Sequence, residues 1–261
     1  MRTLLLLLAL ALPLGSAQAM QCSAQSGPTT TALVELYTSE GCDSCPPADR
    51  WLSSLGAAGY APDRVVPIAL HVDYWDYIGW KDPYARQVFS ARQRKLAQLA
   101  RAAIVYTPQV LLQGQDFRAW RERGSPSAFD QAVAKINTQP AKARISLRLD
   151  TRQKDAFEVE ASAVLEDAVP SADLALYLGA YENKLVSEVQ AGENRGRTLA
   201  HDYVVLQWAG PFDFKGATLS ARQRLPLLPK AVLANSGVVA FVQNTATREV
   251  LQALMLAACR G

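Results

Sequence analysis

Cys42 and Cys45 are separated only by Asp43 and Ser44. Two thiols at this spacing suit thiol–disulfide exchange when an apolar strand precedes them and a helix follows. One thiolate attacks a disulfide sulfur, and the second attacks the resulting mixed disulfide from within. The start of a helix favours a thiolate through its unpaired N–H groups and partial positive charge. On this reading Cys42 is the exposed nucleophile and Cys45, one helical turn on, is the resolving thiol. Half of a zinc site is the competing reading, and it needs a second ligand pair. Cys22 and Cys259 do not form such a pair at a suitable spacing, and only His71 and His201 remain as imidazole ligands.

Two other segments hold candidate chemistry. His71-Val72-Asp73-Tyr74-Trp75-Asp76, with Trp80 beyond it, follows an apolar run. Ligands of open α/β sheets bind at the C-terminal ends of the strands. His71, Asp73, Tyr74, Trp75 and Trp80 are therefore candidates for a substrate surface, or else a cover of the sheet with His71 a satisfied core residue. Tyr106-Thr107-Pro108-Gln109 precedes Val110-Leu111-Leu112. A proline cannot sit in a central ladder and marks a strand entrance, and trans is the usual isomer of such a bond.

The elements that must position these residues follow from periodicity. Strands are predicted at Ala32–Thr38, Val65–Asp73, Val110–Leu112 and Asp116–Trp120, and helices at Pro47–Leu55, Pro83–Ala103 and Ser127–Ile136. The order is β-α-β-α-β-β-α. On the long helix Val88, Phe89, Leu96 and Leu99 form the apolar side, and Arg92, Arg94 and Lys95 a solvated face. After Pro140 short alternating strands take over, at Ile145–Leu149, Phe157–Glu160, Leu174–Leu178, Tyr203–Trp208, Ala217–Leu225, Gly237–Val242 and Val250–Leu256, a pattern that favours a β-sandwich. His201 and Asp202 read as a surface or strand-end pair.

Arg2, the apolar run Leu4–Leu14 and Ala17-Gln18-Ala19 read as an export signal with its cleavage site. The run is short of the ~20 residues that span a bilayer. The division is 1–19 signal peptide, 20–140 an α/β domain, and 141–261 a β-rich, sandwich-like domain. Export points to the periplasm or the exterior, where disulfides are permitted. The formal charge of +3, from 27 Lys and Arg against 24 Asp and Glu, argues against a nucleic-acid partner. No membrane span, cofactor or metal is expected in the mature chain, and nothing bears on oligomeric state. Cys22 and Cys259 lie near the two chain ends, which often meet at a domain surface, and a structural disulfide between them is expected.

Gly41-Cys42-Asp43-Ser44-Cys45-Pro46-Pro47-Ala48-Asp49, the His71–Asp76 segment and Tyr106–Gln109 together resemble the secreted bacterial family called domain of unknown function 1223. The resemblance covers nearly the whole mature chain. It implies a thioredoxin-like first half, a β-rich extension and a thiol centre, and leaves the substrate open. It also implies a cis-proline at Pro108, packed against the cysteine pair, with Thr107 and Pro108 docking substrate alongside Tyr74 and Trp75. Ordinary thioredoxins differ: they carry a tryptophan where Gly41 stands and lack the Pro46-Pro47 pair. These prolines place the helix start at or just before Pro46. Asp43 adds negative charge that raises the thiol pKa.

The function expected is thiol–disulfide oxidoreduction on protein or small-molecule thiols, reducing or isomerising more than strongly oxidising. Two alternatives stay open: a binding module with a static disulfide, and a carrier holding a soft ion such as Cu(I) through Cys42 and Cys45.

Overall fold

A computed structural model describes residues 21–122, 124, 126–153, 155–166 and 169–259. The export signal lies outside the described residues. Among those described, the chain is mostly β, with three α-helices and mixed sheets.

Strand β1 is Gln21–Gln25 and β2 is Ala32–Thr38. Helix α1 (Pro46–Ser54) leads to β3 (Val65–His71), then α2 (Gln87–Leu99), β4 (Gln109–Leu112), β5 (Gln115–Asp116) and α3 (Ala128–Asn137). The remaining strands are β6 (Ala143–Asp150), β7 (Ala156–Leu165), β8 (Leu174–Glu182), β9 (Leu185–Glu188), β10 (Thr198–His201), β11 (Val204–Asp213), β12 (Thr218–Pro226), β13 (Ser236–Asn244) and β14 (Val250–Ala257).

An eight-stranded sheet runs β14-β13-β8-β11-β3-β2-β4-β5. Strands β2 and β3 are parallel, and β4 lies antiparallel to β2. All seven residues of β2 are buried, as a strand covered on both faces requires. Leu33 and Tyr37 pack with Phe89 and Leu96 of α2, while Val34 and Leu36 pack with Leu52 of α1 and Val133 of α3. A second sheet, β1-β6-β7-β12, packs its inward residues Ile145, Leu147, Leu149 and Val159 on Leu176, Leu178 and Ala240 of the larger sheet. Strands from both sides of Pro140 thus share one sheet. The junction is β11, whose Val204 pairs with Ala69 of β3.

Four local expectations are corrected. Of Asp116–Trp120, only Asp116 is strand, and Arg118–Arg121 form a 3-10 turn that buries Trp120 5.5 Å from the Trp51 ring. Helix α2 starts at Gln87 because its approach is held in a loop: the Arg86 N–H donates to the His71 carbonyl and the Tyr84 N–H to Asp82. Arg92 is not on a solvated face. Its side chain, 8 % exposed, donates from Nε to the wholly buried Glu35 at 2.8 Å and lies over the rings of Tyr177, Trp208 and Phe241. Val88 and Leu99, expected inside, are exposed.

Candidate functional site

The polypeptide leaves β2 at Thr38 and turns through Ser39–Ser44 into α1. The Cys42 N–H donates to the Ser39 carbonyl, and the Cys45 N–H to the Cys42 carbonyl. Cys45 is the N-cap of α1, and its carbonyl accepts the N–H groups of Ala48 and Asp49. Pro46 and Pro47 fill the first helical positions and bring no N–H, so this helix offers a thiolate fewer donors than most. Cys42 and Cys45 are joined by a disulfide.

The expected exposure of Cys42 is corrected. Cys42 is 1 % exposed and Cys45 is fully buried, while Asp43 and Ser44 between them face solvent. The cover is built partly around Gly41. A Cβ there would lie 3.0 Å from Trp75 Cβ and 3.3 Å from Ile78 Cδ1, so any other residue would make the 75–78 turn give by a few tenths of an ångström. Gly192, at φ +74°, also approaches Ile78, and a Cβ there would lie 3.0 Å from Ile78 Cδ1.

Gly192 belongs to the loop between β9 and β10, a hairpin that the alternation of the sequence did not signal. The Asn194 amide of that loop donates to the carbonyls of Glu40 (2.8 Å) and Cys42 (2.9 Å). Glu193 accepts the Asp43 N–H at 3.0 Å, and Arg197 donates to the Asn194 side-chain oxygen. Residues some 150 positions downstream in the chain thereby close over the cysteine turn.

Beneath the turn lies a buried polar cluster. His71 Nδ1 is 2.7 Å from Asp82 Oδ2, and His201 Nε2 is 3.1 Å from Glu40 Oε1. Trp80 donates to the other Glu40 oxygen, and Thr38 to Asp49 Oδ2. The two imidazole rings meet edge to face at 4.9 Å, with the Tyr84 ring against both. Burial raises the Asp49 carboxyl, and the two imidazoles oppose that rise. Burial works against an ionised Asp82 too, but the His71 ring beside it brings this carboxyl below the usual range. For His71, burial works against the charged form, and Asp82, with Asp49 and Glu40 behind it, outweighs that and raises the imidazole. His201 is the residue that sequence reasoning set aside. It arrives because the Tyr203 carbonyl accepts the Ala69 N–H of β3. Asp49 carried an available signal, standing four residues after Cys45 on the same side of α1.

The other predicted residues gather at the same end of the sheet. The Thr107–Pro108 bond is cis. It immediately precedes β4, whose Gln109 pairs with Tyr37 of β2. Trp75 Nε1 donates to Thr107 Oγ1 at 2.8 Å, and the Tyr74 hydroxyl to Gln93, which itself holds the Tyr106 carbonyl. Asp73 bonds Ser90 instead of facing this surface. Pro108 lines a shallow cleft of about 290 Å³ with Ile104, Tyr106 and Trp120. Far from here, Cys22 and Cys259 form a disulfide with Cα atoms 5.6 Å apart. No helix among the described residues is long and apolar enough to cross a membrane.

Residues 33–243 match the family described as "Protein of unknown function (DUF1223)". The fold is similar to that of protein AGR_C_4864 from Agrobacterium tumefaciens, with a TM-score of 0.64, 23 % identity, and coverage of 90 % of this chain and 98 % of that one. It is also similar to HBP35 of Porphyromonas gingivalis, with a TM-score of 0.62, 16 % identity, and coverage of 89 % and 76 %. At these identities the likeness concerns the fold alone. No curated protein matches the chain.

Proposed function

The chain belongs to the DUF1223 family, and from that premise we propose that it is an extracytoplasmic thiol–disulfide oxidoreductase with a thioredoxin-like first half. The observation that carries this reading is the placement of Cys42 and Cys45 at the turn from β2 into α1, with Cys45 as the helix N-cap. The thioredoxin-like reading is supported by the sheet segment β3-β2-β4-β5, with β2 parallel to β3 and β4 antiparallel, and by Thr107 and Pro108 at the same sheet end as the cysteine turn. Two disulfides suit an oxidising compartment outside the cytoplasm, the periplasm or the exterior.

In the reducing direction, the Cys42 thiolate attacks one sulfur of a substrate disulfide and expels the other as a thiolate. The Cys45 thiolate then attacks Cys42 Sγ, releasing the second substrate thiolate and leaving the Cys42–Cys45 disulfide. The substrate gains two electrons and the protein loses two, which an external dithiol must restore. Tyr74, Trp75, Thr107 and Pro108 form the surface for a protein or small-molecule partner. The scarcity of N–H donors at the start of α1 disfavours a stabilised thiolate, which fits a reducing or isomerising centre better than a strong oxidant.

Burial of both cysteines favours a second reading, a binding module in which this disulfide is static. The reduction potential of the pair separates the two. Equilibration of the folded protein with a glutathione redox buffer should give a reversible two-electron transition, followed by mass spectrometry of alkylated thiols. A pair that stays oxidised until the protein unfolds would leave the static reading.

A further inference from the structure

We propose that Asp49, His71 and His201 bind a divalent first-row transition-metal ion inside the fold, through a carboxylate oxygen and one nitrogen of each imidazole.

The three side chains each bring a donor atom within 4.8 Å of the other two, and all three residues are buried. Asp49 Oδ1 and His201 Nδ1 are 4.0 Å apart, too long for a hydrogen bond. The outer nitrogen of each imidazole is engaged: His71 Nδ1 with Asp82, and His201 Nε2 with Glu40. Those carboxylates already accept other donors, Asp82 from the Glu40 and Tyr84 N–H groups and Glu40 from Trp80. They are therefore acceptors toward the imidazoles, and a neutral ring, the form in which a metal binds, keeps its proton on the outer nitrogen. The inner nitrogens, His71 Nε2 and His201 Nδ1, are both buried without a hydrogen-bond partner, and in the neutral rings each offers a lone pair.

This arrangement is what a metal site demands. A ligating imidazole donates its far N–H to a carboxylate, which fixes the tautomer and the ring and raises the basicity of the ligating nitrogen. Here that pairing occurs twice, around two nitrogens with nothing else to do. Charge points the same way. Glu40, Asp49 and Asp82 bring three carboxyl groups to two imidazoles, and among the described residues no lysine or arginine pairs with any of them. Two imidazoles and a carboxylate suit zinc, or iron(II) with open positions. Neither sulfur is needed, so the site stands apart from the redox reading of Cys42 and Cys45.

The test uses the full mature chain with both disulfides intact, so that no thiol can ligate. Protein exported from cells in zinc-supplemented medium is passed through gel filtration and its metal content measured. About one zinc per chain is expected, and removal with a chelator should lower the melting temperature. Folded Asp49→Asn and His201→Gln variants, checked by circular dichroism, should lose at least tenfold in zinc affinity. A Cys42→Ser/Cys45→Ser variant should keep full occupancy. Cobalt(II) substituted into the wild-type chain should show tetrahedral d–d bands with no sulfur charge-transfer band, a readout that does not depend on the variants folding. A wild-type chain that retains no zinc, folded variants that retain it fully, or a sulfur charge-transfer band would each overturn the proposal.

Discussion

The side-chain amide of Asn194 donates a 2.9 Å hydrogen bond to the backbone carbonyl of Cys42, joining the β9–β10 loop to the disulfide turn. A second bond from the same amide reaches the Glu40 carbonyl, and Asn194 itself is fully buried. A residue of the second half of the chain thereby holds the disulfide turn of the first.

Replacing Asn194 with alanine should uncover the disulfide. Two hydrogen bonds worth about 1 kcal/mol each amount to roughly thirtyfold in the opening equilibrium. The rate at which dithiothreitol reduces Cys42–Cys45 in the folded protein should rise by about that factor, as followed by thiol alkylation and mass spectrometry. An unchanged rate would show that the loop does not limit access.

The two cysteines should behave unequally. A Cys45→Ser variant should accumulate mixed disulfides with substrate through Cys42, because the resolving thiol is gone. A Cys42→Ser variant should neither turn over nor trap. Trapping through Cys45 to the same extent would reverse the assigned roles.

Arg92 and Glu35 form a pair whose rupture should be severe. An Arg92→Ala change leaves the Glu35 carboxylate buried and unpaired, at a cost of about 3–5 kcal/mol. Chemical denaturation should show that loss. A double Glu35→Gln, Arg92→Met variant, which buries no charge, should lose markedly less.

The Cys22–Cys259 bond closes a loop with a sequence separation of 237. Its removal by paired serine substitutions should lower stability by up to about 5 kcal/mol if constraint of the unfolded chain dominates. Denaturation with the other disulfide intact measures it, and a negligible change would assign the bond no stabilising role.

At the start of α3, Ser127 and Asp130 form a reciprocal capping box, and the Tyr60 hydroxyl also bonds Asp130. The Tyr60 bond, followed by those from Ser127, holds the Asp130 carboxyl below its usual value. A carboxyl depressed on folding adds stability above its unfolded pKa, and that stability is lost as the pH falls through the folded value. Asp130→Asn should therefore be less stable at neutral pH and should show a shallower loss on acidification. Parallel melting curves from neutral to acidic pH test this.

Sequence alone determined the features that local chemistry dictates. The apolar runs of β2 and β3, the proline-marked start of α1 and the Cys42–Cys45 spacing need no distant partner to be read. Pro108 at the head of β4 and the paired end cysteines were legible for the same reason: residue type and position already restrict what the backbone can do. Tertiary structure alone decided the surroundings of the chemistry. Strands β9 and β10 are four residues each, too short for alternation to register, yet their loop covers Cys42. His201 meets His71 only because β11 docks beside β3, and Arg92 leaves solvent only because Glu35, Tyr177, Trp208 and Phe241 converge on it from separate strands. A side chain's burial, its partner and its protonation come from residues brought near by packing, and linear spacing carries no record of which residues those are.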